Sequence, residues 1–271
     1  MKEIYEPIER NVPDLPVPTT PKTEKLEPIS LLVLGIDERE NDTGRSDTMV
    51  VMTVNPTSAS TKLLSIPRDT YTEIVGKDVH DKINHAYSFG GAEMALASTE
   101  KLLDISIDYV VQIDMESFVE IVDILGGIDV TNAFSFQTEV HEYPEGALHL
   151  SGEQALDYVR MRYDDPNGDF GRQERQKQVM QAVLDKTAEV PSLFKFDALL
   201  DTVADHVTTN INYSEVKQMH SNYRQAFNQI DTLQFIKGSG ATVDGVWYYM
   251  MDDNELAAVS EELKNHLSNE D

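Results

Sequence analysis

The sequence predicts an α/β fold in a single domain. Apolar runs of strand length alternate with segments of helical periodicity from Ile29 to about Leu267, as in proteins whose helices pack on a sheet. The chain has 271 residues, 40% of them hydrophobic, which is enough for one sizeable core. Neither an internal repeat nor a shift in composition divides it. We therefore expect one domain over 29–271, preceded by a linker or stalk over 1–28.

The first three predicted strands carry the strongest signal. Ile29–Asp37 is a nearly continuous apolar run, as expected for a strand buried on both faces of a parallel sheet. Thr48–Val54 and Lys62–Ile66 are β-branched or apolar runs that stop at prolines. Charged residues border all three runs, and in open α/β sheets ligands bind where strand ends and loops converge. The pattern predicts a ligand site at these strand ends.

The remaining elements are predicted from periodicity, from turn residues and from a capping box at Ser151 and Gln154. They are helices over Ala92–Leu103, Met115–Leu125, Gln154–Tyr158, Phe170–Ala188, Phe194–Thr208, Tyr213–Phe227 and Asn254–Leu267, strands over Tyr109–Ile113, Ile128–Val130, Leu233–Ile236 and Val246–Met250, and a loop over Asn132–Leu150.

Composition excludes several classes of function. The chain has no cysteine, which rules out disulfides, thiol chemistry and cysteine zinc sites. Its formal charge of −26 argues against nonspecific nucleic-acid binding, which needs a basic surface. No apolar run is long enough to span a membrane. The histidines are scattered, without the spacing of metal ligands.

Arginine is concentrated against this acidic background. Seven of the nine arginines fall in four short segments: Arg39 and Arg45, Arg68, Arg160 and Arg162, and Arg172 and Arg175. The guanidinium group is a planar fork of donors that matches phosphate oxygens. We predict that Arg160 and Arg162 project to one side of an extended segment, and that Arg172, Arg175 and Gln176 share the first turns of a helix, where its dipole favours an anion. Salt bridges to the many carboxylates are the alternative for any single arginine.

Aspartates adjoin the same strand ends. Asp37 follows the first strand, Asp47 lies at the start of the second, and Asp69 follows the third. Carboxylates beside a phosphate repel it unless a hard cation bridges them, and Mg²⁺ bound by one or two carboxylates and by phosphate oxygens does this. The alternative for each aspartate is a turn or a helix cap. Asp164, Asp165 and Asp169 lie in the turn between Arg162 and Arg172 and are expected to shape it or to orient arginines, rather than to bind metal.

Six motifs then occur in order: Leu-Gly-Ile-Asp (34–37), Gly-Arg-Ser-Asp-Thr (44–48), Ser-Ile-Pro-Arg-Asp-Thr (65–70), Lys-Ile-Asn-His-Ala-Tyr (82–87), Val-Asp-Ile-Leu-Gly-Gly-Ile (122–128) and the arginine-rich stretch 159–176. Together they resemble the LytR–CpsA–Psr family of cell-wall assembly proteins over about Ser30–Met251. The resemblance implies a three-layer α/β/α sandwich with a central mixed, largely parallel sheet and an apolar lipid pocket. Segments considered for that pocket are Leu96–Leu103, Phe118–Leu125 and Val179–Leu184, although core packing is the simpler account of most of their residues.

The resemblance also assigns residues. Asp37 and Asp47 match the aspartates associated with Mg²⁺, for which Mn²⁺ is the substitute. The pyrophosphate-binding set is Arg45, Arg68, Arg160, Arg162, Arg172 and Gln176. Arg39, Lys82, Asp69 and Arg175 lie in matching motifs with less defined roles.

The implied function is transfer of a polyprenyl-pyrophosphate-linked glycopolymer, such as wall teichoic acid or capsular polysaccharide, to peptidoglycan. Asp37, Asp47 and Asp69 are candidate bases for the attacking hydroxyl, with Arg68 stabilising charge. The resemblance implies an extracellular domain of a Gram-positive cell, anchored by a membrane helix upstream of this chain, and we expect a monomer that contacts no nucleic acid. Two alternatives remain open: a polyprenyl-pyrophosphate pyrophosphatase, and a non-enzymatic regulator or wall-binding module.

Overall fold

The computed structural model describes residues 22–37, 44–161, 165–188 and 207–268. They form two compact units, each described here by itself. The sheet unit comprises Glu3–Ile113 and Thr208–Asp271, and the inserted unit comprises Asp114–Val207. Arg39 and Arg162 lie outside the described residues. So does 194–206, which is most of one predicted helix.

The fold is a mixed α/β fold, as the sequence predicts. Its strands are β1 (Ile29–Asp37), β2 (Arg45–Asn55), β3 (Ser60–Ser65), β4 (Tyr71–Ile74), β5 (Val79–Lys82), β6 (Tyr109–Asp114), β7 (Ile128–Asn132), β8 (Phe136–Gln137), β9 (Glu142–Tyr143), β10 (Gly146–Leu150), β11 (Val207–Thr209), β12 (Ile230–Leu233), β13 (Ser239–Val243) and β14 (Val246–Met250). Its helices are α1 (Lys22–Lys25), α2 (His85–Leu103), α3 (Met115–Ile124), α4 (Gly152–Arg160), α5 (Asp169–Ala188), α6 (Tyr213–Asn222) and α7 (Asp253–Leu267), with a 3₁₀ helix at Arg224–Asn228.

The central sheet has six strands in the order β11-β6-β1-β2-β3-β12. β12 pairs with β3 in parallel, whereas β1 pairs with β2 and β2 with β3 in antiparallel fashion. The sheet is therefore mixed, as expected, and β1 pairs antiparallel with β2, although its apolar run was interpreted as a strand of a parallel sheet. Two-sided burial explains that run equally well, because both faces of β1 carry buried side chains, such as Leu31 and Leu32.

The core of the sheet unit lies between one face of the sheet and two helices. Leu32, Val51 and Leu64 of adjacent strands pack in one cluster with Leu96 of α2 and Leu263 of α7. Each such side chain contributes about 1.5–3 kcal/mol when fully buried. Helix α2 begins at His85, seven residues before the predicted start, and has non-helical dihedrals at its two adjacent glycines.

The inserted unit packs α3, α4 and α5 with short strands around a second core, which includes Val122, Tyr158 and Val179. The capping box of Ser151 and Gln154 is present and opens α4. The loop predicted over Asn132–Leu150 is wrong, because this stretch forms β8, β9 and β10. These strands are short, and two of them have only two residues. Strands of this length are too short to show the alternation of apolar and polar residues that would predict them.

Other boundaries differ in smaller ways. The predicted end of the helix at Thr208 is wrong, because Val207–Thr209 form β11. The helix predicted over Tyr213–Phe227 is divided into α6 and the 3₁₀ helix, and the strand predicted at Leu233–Ile236 lies earlier, as β12. Strands β4, β5 and β13 were not predicted.

The proposed lipid-lining segments supply core residues within each unit. Leu96 and Leu103 belong to the core of the sheet unit, while Val122 and Val179 belong to that of the inserted unit. The apolar lipid pocket stays a prediction. Among the described residues, no helix is both long and apolar enough to cross a membrane.

Candidate active site

A polar cleft of about 360 Å³ opens at one edge of the sheet unit. Its lining comes from the end of β1, the start of β2, the segment after β3, the end of β5 and the start of α2. The lining residues are Asp37, Arg45, Asp47, Arg68, Asp69, Lys82, Asn84 and His85. The first six were all predicted as site residues from the sequence.

Antiparallel pairing explains why these residues meet. Asp37 ends β1, and its partner in the ladder is Arg45, the first residue of β2. Strand β3 runs back antiparallel to β2, so the segment that follows it, with Arg68 and Asp69, returns to the edge where β2 begins. In a parallel arrangement, the start of β2 would lie at the opposite edge.

A β-bulge sets the position of Asp47. Gly35 pairs with Thr48 and Ile36 with Ser46, so Asp47 is the extra residue without a partner in β1. Bulges re-aim side chains in this way and are frequent beside active sites. A Cβ atom at Gly35 would lie only 2.9 Å from Cβ of Thr48. Glycine at position 35 therefore leaves the room that the Thr48 side chain occupies.

Alternating charges line the cleft. Nη1 of Arg68 donates to Oδ2 of Asp47 at 2.7 Å, and Nε of Arg68 lies 3.7 Å from Oδ2 of Asp69. The other oxygen of Asp69 is 2.6 Å from Nζ of Lys82. These side chains are only partly exposed, so their interactions are less screened than those of surface ion pairs.

Asn84 and His85 belong to the cleft but were not predicted as site residues. The N–H of Asn84 donates to the carbonyl of Arg68 at 3.2 Å, which joins the start of α2 to the segment after β3. Nδ2 of Asn84 lies 3.3 Å from Oδ1 of Asp47. Nδ1 of His85 lies 2.8 Å from Oδ2 of Asp81. The signal that could have identified both residues is their place in the same motif as Lys82.

The inserted unit carries the other predicted residues that the structure describes. Arg160 is the last residue of α4 and is exposed. The prediction of an extended segment at Arg160 is therefore wrong, because α4 continues through Arg160 and ends before Met161. Arg172 and Gln176 lie near the start of α5, as predicted, and Arg172 is buried. The predicted pyrophosphate contacts of these three residues stay predictions.

Arg175 has a structural role, and its assignment to pyrophosphate stays a prediction. Its Nη1 is 2.5 Å from Oδ2 of Asp165, its Nε donates to the carbonyl of Tyr158 at 3.1 Å, and its Nη2 donates to the carbonyl of Met161. The guanidinium also lies over the ring of Phe136. These contacts hold Met161 and Asp165 against α5, and Asp165 orients an arginine as expected.

The side chains of the cleft are suited to bind a phosphate anion together with a hard cation such as Mg²⁺. Three cationic side chains can contact phosphate oxygens, and the carboxylates of Asp37 and Asp47 are the oxygen donors that Mg²⁺ prefers. Among the residues that the structure describes, no group of three or more His, Cys, Asp or Glu side chains is arranged to hold a metal ion alone. A cation at Asp37 and Asp47 would therefore need further oxygens, which a phosphate supplies.

Known proteins resemble this chain in sequence and in fold. The model of the LytR_cpsA_psr family matches residues 2–265. A Bacillus cereus (strain AH820) protein named polyisoprenyl-teichoic acid–peptidoglycan teichoic acid transferase TagU is 44% identical over 267 residues, covering 98% of this chain and 88% of that protein.

Two solved structures extend the comparison. The crystal structure of Bacillus subtilis TagU has 39% identity and a TM-score of 0.72, covering 90% of this chain and 98% of that one. The structure of TagT bound to LIIa-WTA has 30% identity and a TM-score of 0.77, covering 89% of this chain and 91% of that one.

Proposed function

Because this chain belongs to the LytR–CpsA–Psr family, we propose that it is a phosphotransferase that attaches a polyprenyl-pyrophosphate-linked glycopolymer to peptidoglycan. The names of TagU and of the TagT complex favour wall teichoic acid over capsular polysaccharide as the polymer. The observation that carries the proposal is the cleft, which combines Arg45, Arg68 and Lys82 with three carboxylates at the ends of adjacent strands.

The cationic side chains bind and orient the pyrophosphate. Arg68 is the central one, because it contacts Asp47 on one side and approaches Asp69 on the other. Both carboxylates hold its guanidinium in place before substrate arrives, and a preorganised donor stabilises developing charge without reorganisation. Lys82 is fixed in the same way by Asp69. A point charge on one side and a planar fork on the other suit a diphosphate.

Mg²⁺ belongs to this proposal, with Mn²⁺ as a substitute. Asp37 and Asp47 would hold it, since both carboxylates line the cleft and Mg²⁺ binds through one or two carboxylates together with substrate phosphates. When bound, the ion would neutralise negative charge on the phosphate oxygens. Binding and orienting the substrate depend on the protein side chains.

The reaction is attack by a sugar hydroxyl of peptidoglycan on the phosphorus next to the glycan. A new O–P bond forms, the P–O bond to the polyprenyl phosphate breaks, and the leaving group departs with the electron pair. Arg68 and Lys82 stabilise the negative charge on that leaving group. The family resemblance adds Arg160, Arg162, Arg172 and Gln176 to the proposed pyrophosphate-binding set.

Location and assembly are also proposals. A substrate carried on a polyprenyl lipid and an acceptor in the cell wall favour an extracellular site of action at the membrane, with the chain anchored there. Protease treatment of intact cells would degrade the protein if it is outside. Light scattering of the purified chain is expected to give the mass of a monomer.

Transfer can be tested directly. Purified protein is incubated with Mg²⁺, a polyprenyl-pyrophosphate-linked teichoic acid precursor labelled in its glycan, and peptidoglycan oligosaccharides. We expect the label on the oligosaccharide and one polyprenyl monophosphate released for each transfer. Release of phosphate without attachment of the label would instead favour a pyrophosphatase. Absence of any turnover, with tight binding of the precursor, would favour a regulator or binding module.

A further inference from the structure

His85 and Asp81 form a pair at the cleft that the predicted site residues do not include. His85 opens α2 and lines the cleft, and its Nδ1 lies 2.8 Å from Oδ2 of Asp81 on β5. The other oxygen of Asp81 accepts hydrogen bonds from the N–H of Lys82 at 2.8 Å and from the hydroxyl of Tyr248 at 3.3 Å. Both oxygens of Asp81 are therefore held, and through them the orientation of the imidazole.

The pair sets which ring nitrogen carries the proton. Burial by itself raises the pKa of Asp81, but the hydrogen bonds from His85, the Lys82 N–H and Tyr248 outweigh it and leave the pKa below its ordinary value. Asp81 is thus ionised at neutral pH and accepts from Nδ1–H, which leaves the lone pair of a neutral imidazole on Nε2. Among the described residues, no hydrogen-bond partner of Nε2 is found. A carboxylate that orients a histidine in this way is a recurring arrangement for general bases.

The cleft carboxylates are engaged differently. Asp47 contacts Arg68 through one oxygen and Asn84 through the other. Asp69 contacts Lys82 through one oxygen and approaches Arg68 with the other. Both are thus engaged with protein donors, and Asp37 and Asp47 are also the proposed ligands of Mg²⁺. Among the residues that line the cleft, His85 offers a different acceptor, Nε2.

We propose that His85 is the general base of the transfer reaction and that Asp81 is its positioning residue. This inference rests on the proposed function. As the sugar oxygen forms its bond to phosphorus and the P–O bond to the polyprenyl phosphate breaks, the hydroxyl proton passes to Nε2. The imidazolium that results is paired with Asp81, and it releases the proton to water after the products leave.

The charges around His85 favour this proton transfer. They come from β1, β2, the segment after β3 and β5, and they are Asp37, Arg45, Asp47, Arg68, Asp69, Asp81 and Lys82. Four are carboxylates and three are cations, which is an excess of one negative charge, and the proposed Mg²⁺ would be offset by the charge of the pyrophosphate. That excess stabilises the positive charge that forms on the ring as the hydroxyl loses its proton.

The test uses the full chain in the labelled transfer assay. We expect His85→Gln to lower kcat about 100-fold, the scale of general-base catalysis, with little change in KM for the lipid precursor. The pH dependence of the rate is expected to differ between the wild type and the variant, which lacks a proton acceptor at this position. Added imidazole is expected to restore part of the activity of His85→Ala, which a misfolded variant could not show.

Two further variants isolate the roles. Asp81→Asn is expected to lower kcat about tenfold at unchanged KM, and Asp81→Glu to recover part of that loss, because Asp81 acts only through the ring. His149→Gln is the matched control. His149 makes the same contact with a carboxylate, 2.7 Å from Nδ1 to Oδ1 of Asp129, but is exposed in the inserted unit. It is expected to retain wild-type kcat.

Separate outcomes distinguish the two proposals. If the wild type transfers polymer and His85→Gln stays within threefold of it at every pH, the assignment of His85 is wrong while the proposed function stands. Failure of imidazole to raise the rate of His85→Ala would also overturn it. If the wild type attaches no polymer to the acceptor, both proposals fail.

Discussion

Arg68 of the sheet unit and Arg175 of the inserted unit show two uses of the same residue type. The side chain of Arg175 is 6% exposed, and each of its three guanidinium nitrogens donates to the protein. That of Arg68 is 17% exposed and contacts two carboxylates at the mouth of a polar cleft. Among the described residues, its Nε makes no hydrogen bond.

The difference in their contacts distinguishes an arginine that holds the fold together from one that a ligand can reach. Every nitrogen of Arg175 is occupied by a fixed partner, and a phosphate could reach it only by disrupting the turn that it holds. Arg68 lines the cleft, and its contacts with the protein are to side-chain carboxylates. A motif identifies arginines that matter, but only the partners of each guanidinium distinguish folding from binding.

The largest expected effect is on stability, at Arg175. Arg175→Met leaves the carboxylate of Asp165, which is 1% exposed, without its cation, and breaking a buried pair in this way costs about 3–5 kcal/mol. Urea denaturation measures the change. Arg175→Met combined with Asp165→Asn is expected to recover part of the loss. Arg224→Met, at an exposed arginine, is the control and is expected to change stability by less than about 0.5 kcal/mol. A loss below about 1 kcal/mol at Arg175 would contradict its structural role.

The next effect is on activity, at Arg68. Arg68→Ala is expected to lower the transfer rate about 10²–10³-fold, as removal of a preorganised donor does in other enzymes. The free energy of unfolding is expected to change by no more than about 1 kcal/mol, because the ion pair is partly solvated. Arg68→Lys keeps the charge but loses the fork, so an intermediate rate is expected. An Arg68→Ala variant that is as unstable as Arg175→Met would remove the distinction between the two arginines.

The sequence was sufficient where a single local property determines the structure. The limits of β1 and β14 match the predicted runs. An apolar stretch buried on both faces, as β1 is, has few alternatives, and β14 follows directly after a turn at Gly245, which has positive φ. Helix α3 ends where its paired glycines indicate, since Gly126 and Gly127 both adopt positive φ. Five of the six cleft residues lie beside the first three predicted strands, whereas Lys82 was named through the family motif and ends a strand that was not predicted.

Properties that depend on partners distant in the sequence were not predictable. A buried run does not reveal whether β1 pairs with β2 in parallel or in antiparallel fashion. Only the antiparallel pairing brings Arg45 and Asp47 to the same edge as Asp37. The bulge at Asp47 depends on the register between two strands. His85 became a candidate only when β5 placed Asp81 beside it, and Arg175 became structural only through Asp165 and the carbonyls around it.

The histidines also include a structural residue and a candidate catalytic one, and the expected effect of the structural one is smaller than that of Arg175. His266 of α7 is buried, with Thr53 Oγ1 at 2.7 Å from Nδ1 and Ser60 Oγ at 3.0 Å from Nε2. Burial, together with the charge of Lys62, lowers its pKa below 6.5. Above pH 6.5 the ring is neutral in both states, and its contribution to stability is complete. As the pH falls below 6.5, the unfolded chain binds the proton first, so stability declines until the folded ring also titrates.

Urea denaturation at pH 7.0 and at pH 5.0 tests whether stability falls on acidification because of His266. The wild type is expected to lose more free energy of unfolding on acidification than His266→Gln, which keeps polar contacts with Thr53 and Ser60 but does not titrate. An equal loss in both proteins would assign the acid sensitivity to other groups. Transfer activity at pH 7.0 is expected to be unchanged in this variant, in contrast to the expected effect of His85→Gln.

The smallest effect is expected at Lys62, whose Nζ lies 2.7 Å from Oε1 of Glu262 near His266. Glu262 is 45% exposed, so Lys62→Met is expected to cost only about 0.2–1 kcal/mol, and less at high salt, because counterions screen an exposed pair. The same change removes a positive charge that opposes protonation of His266. The acid sensitivity of Lys62→Met is therefore expected to be smaller than that of the wild type. If it were instead unchanged, burial alone would account for the behaviour of His266, and Lys62 would be a surface ion pair with no influence on the core.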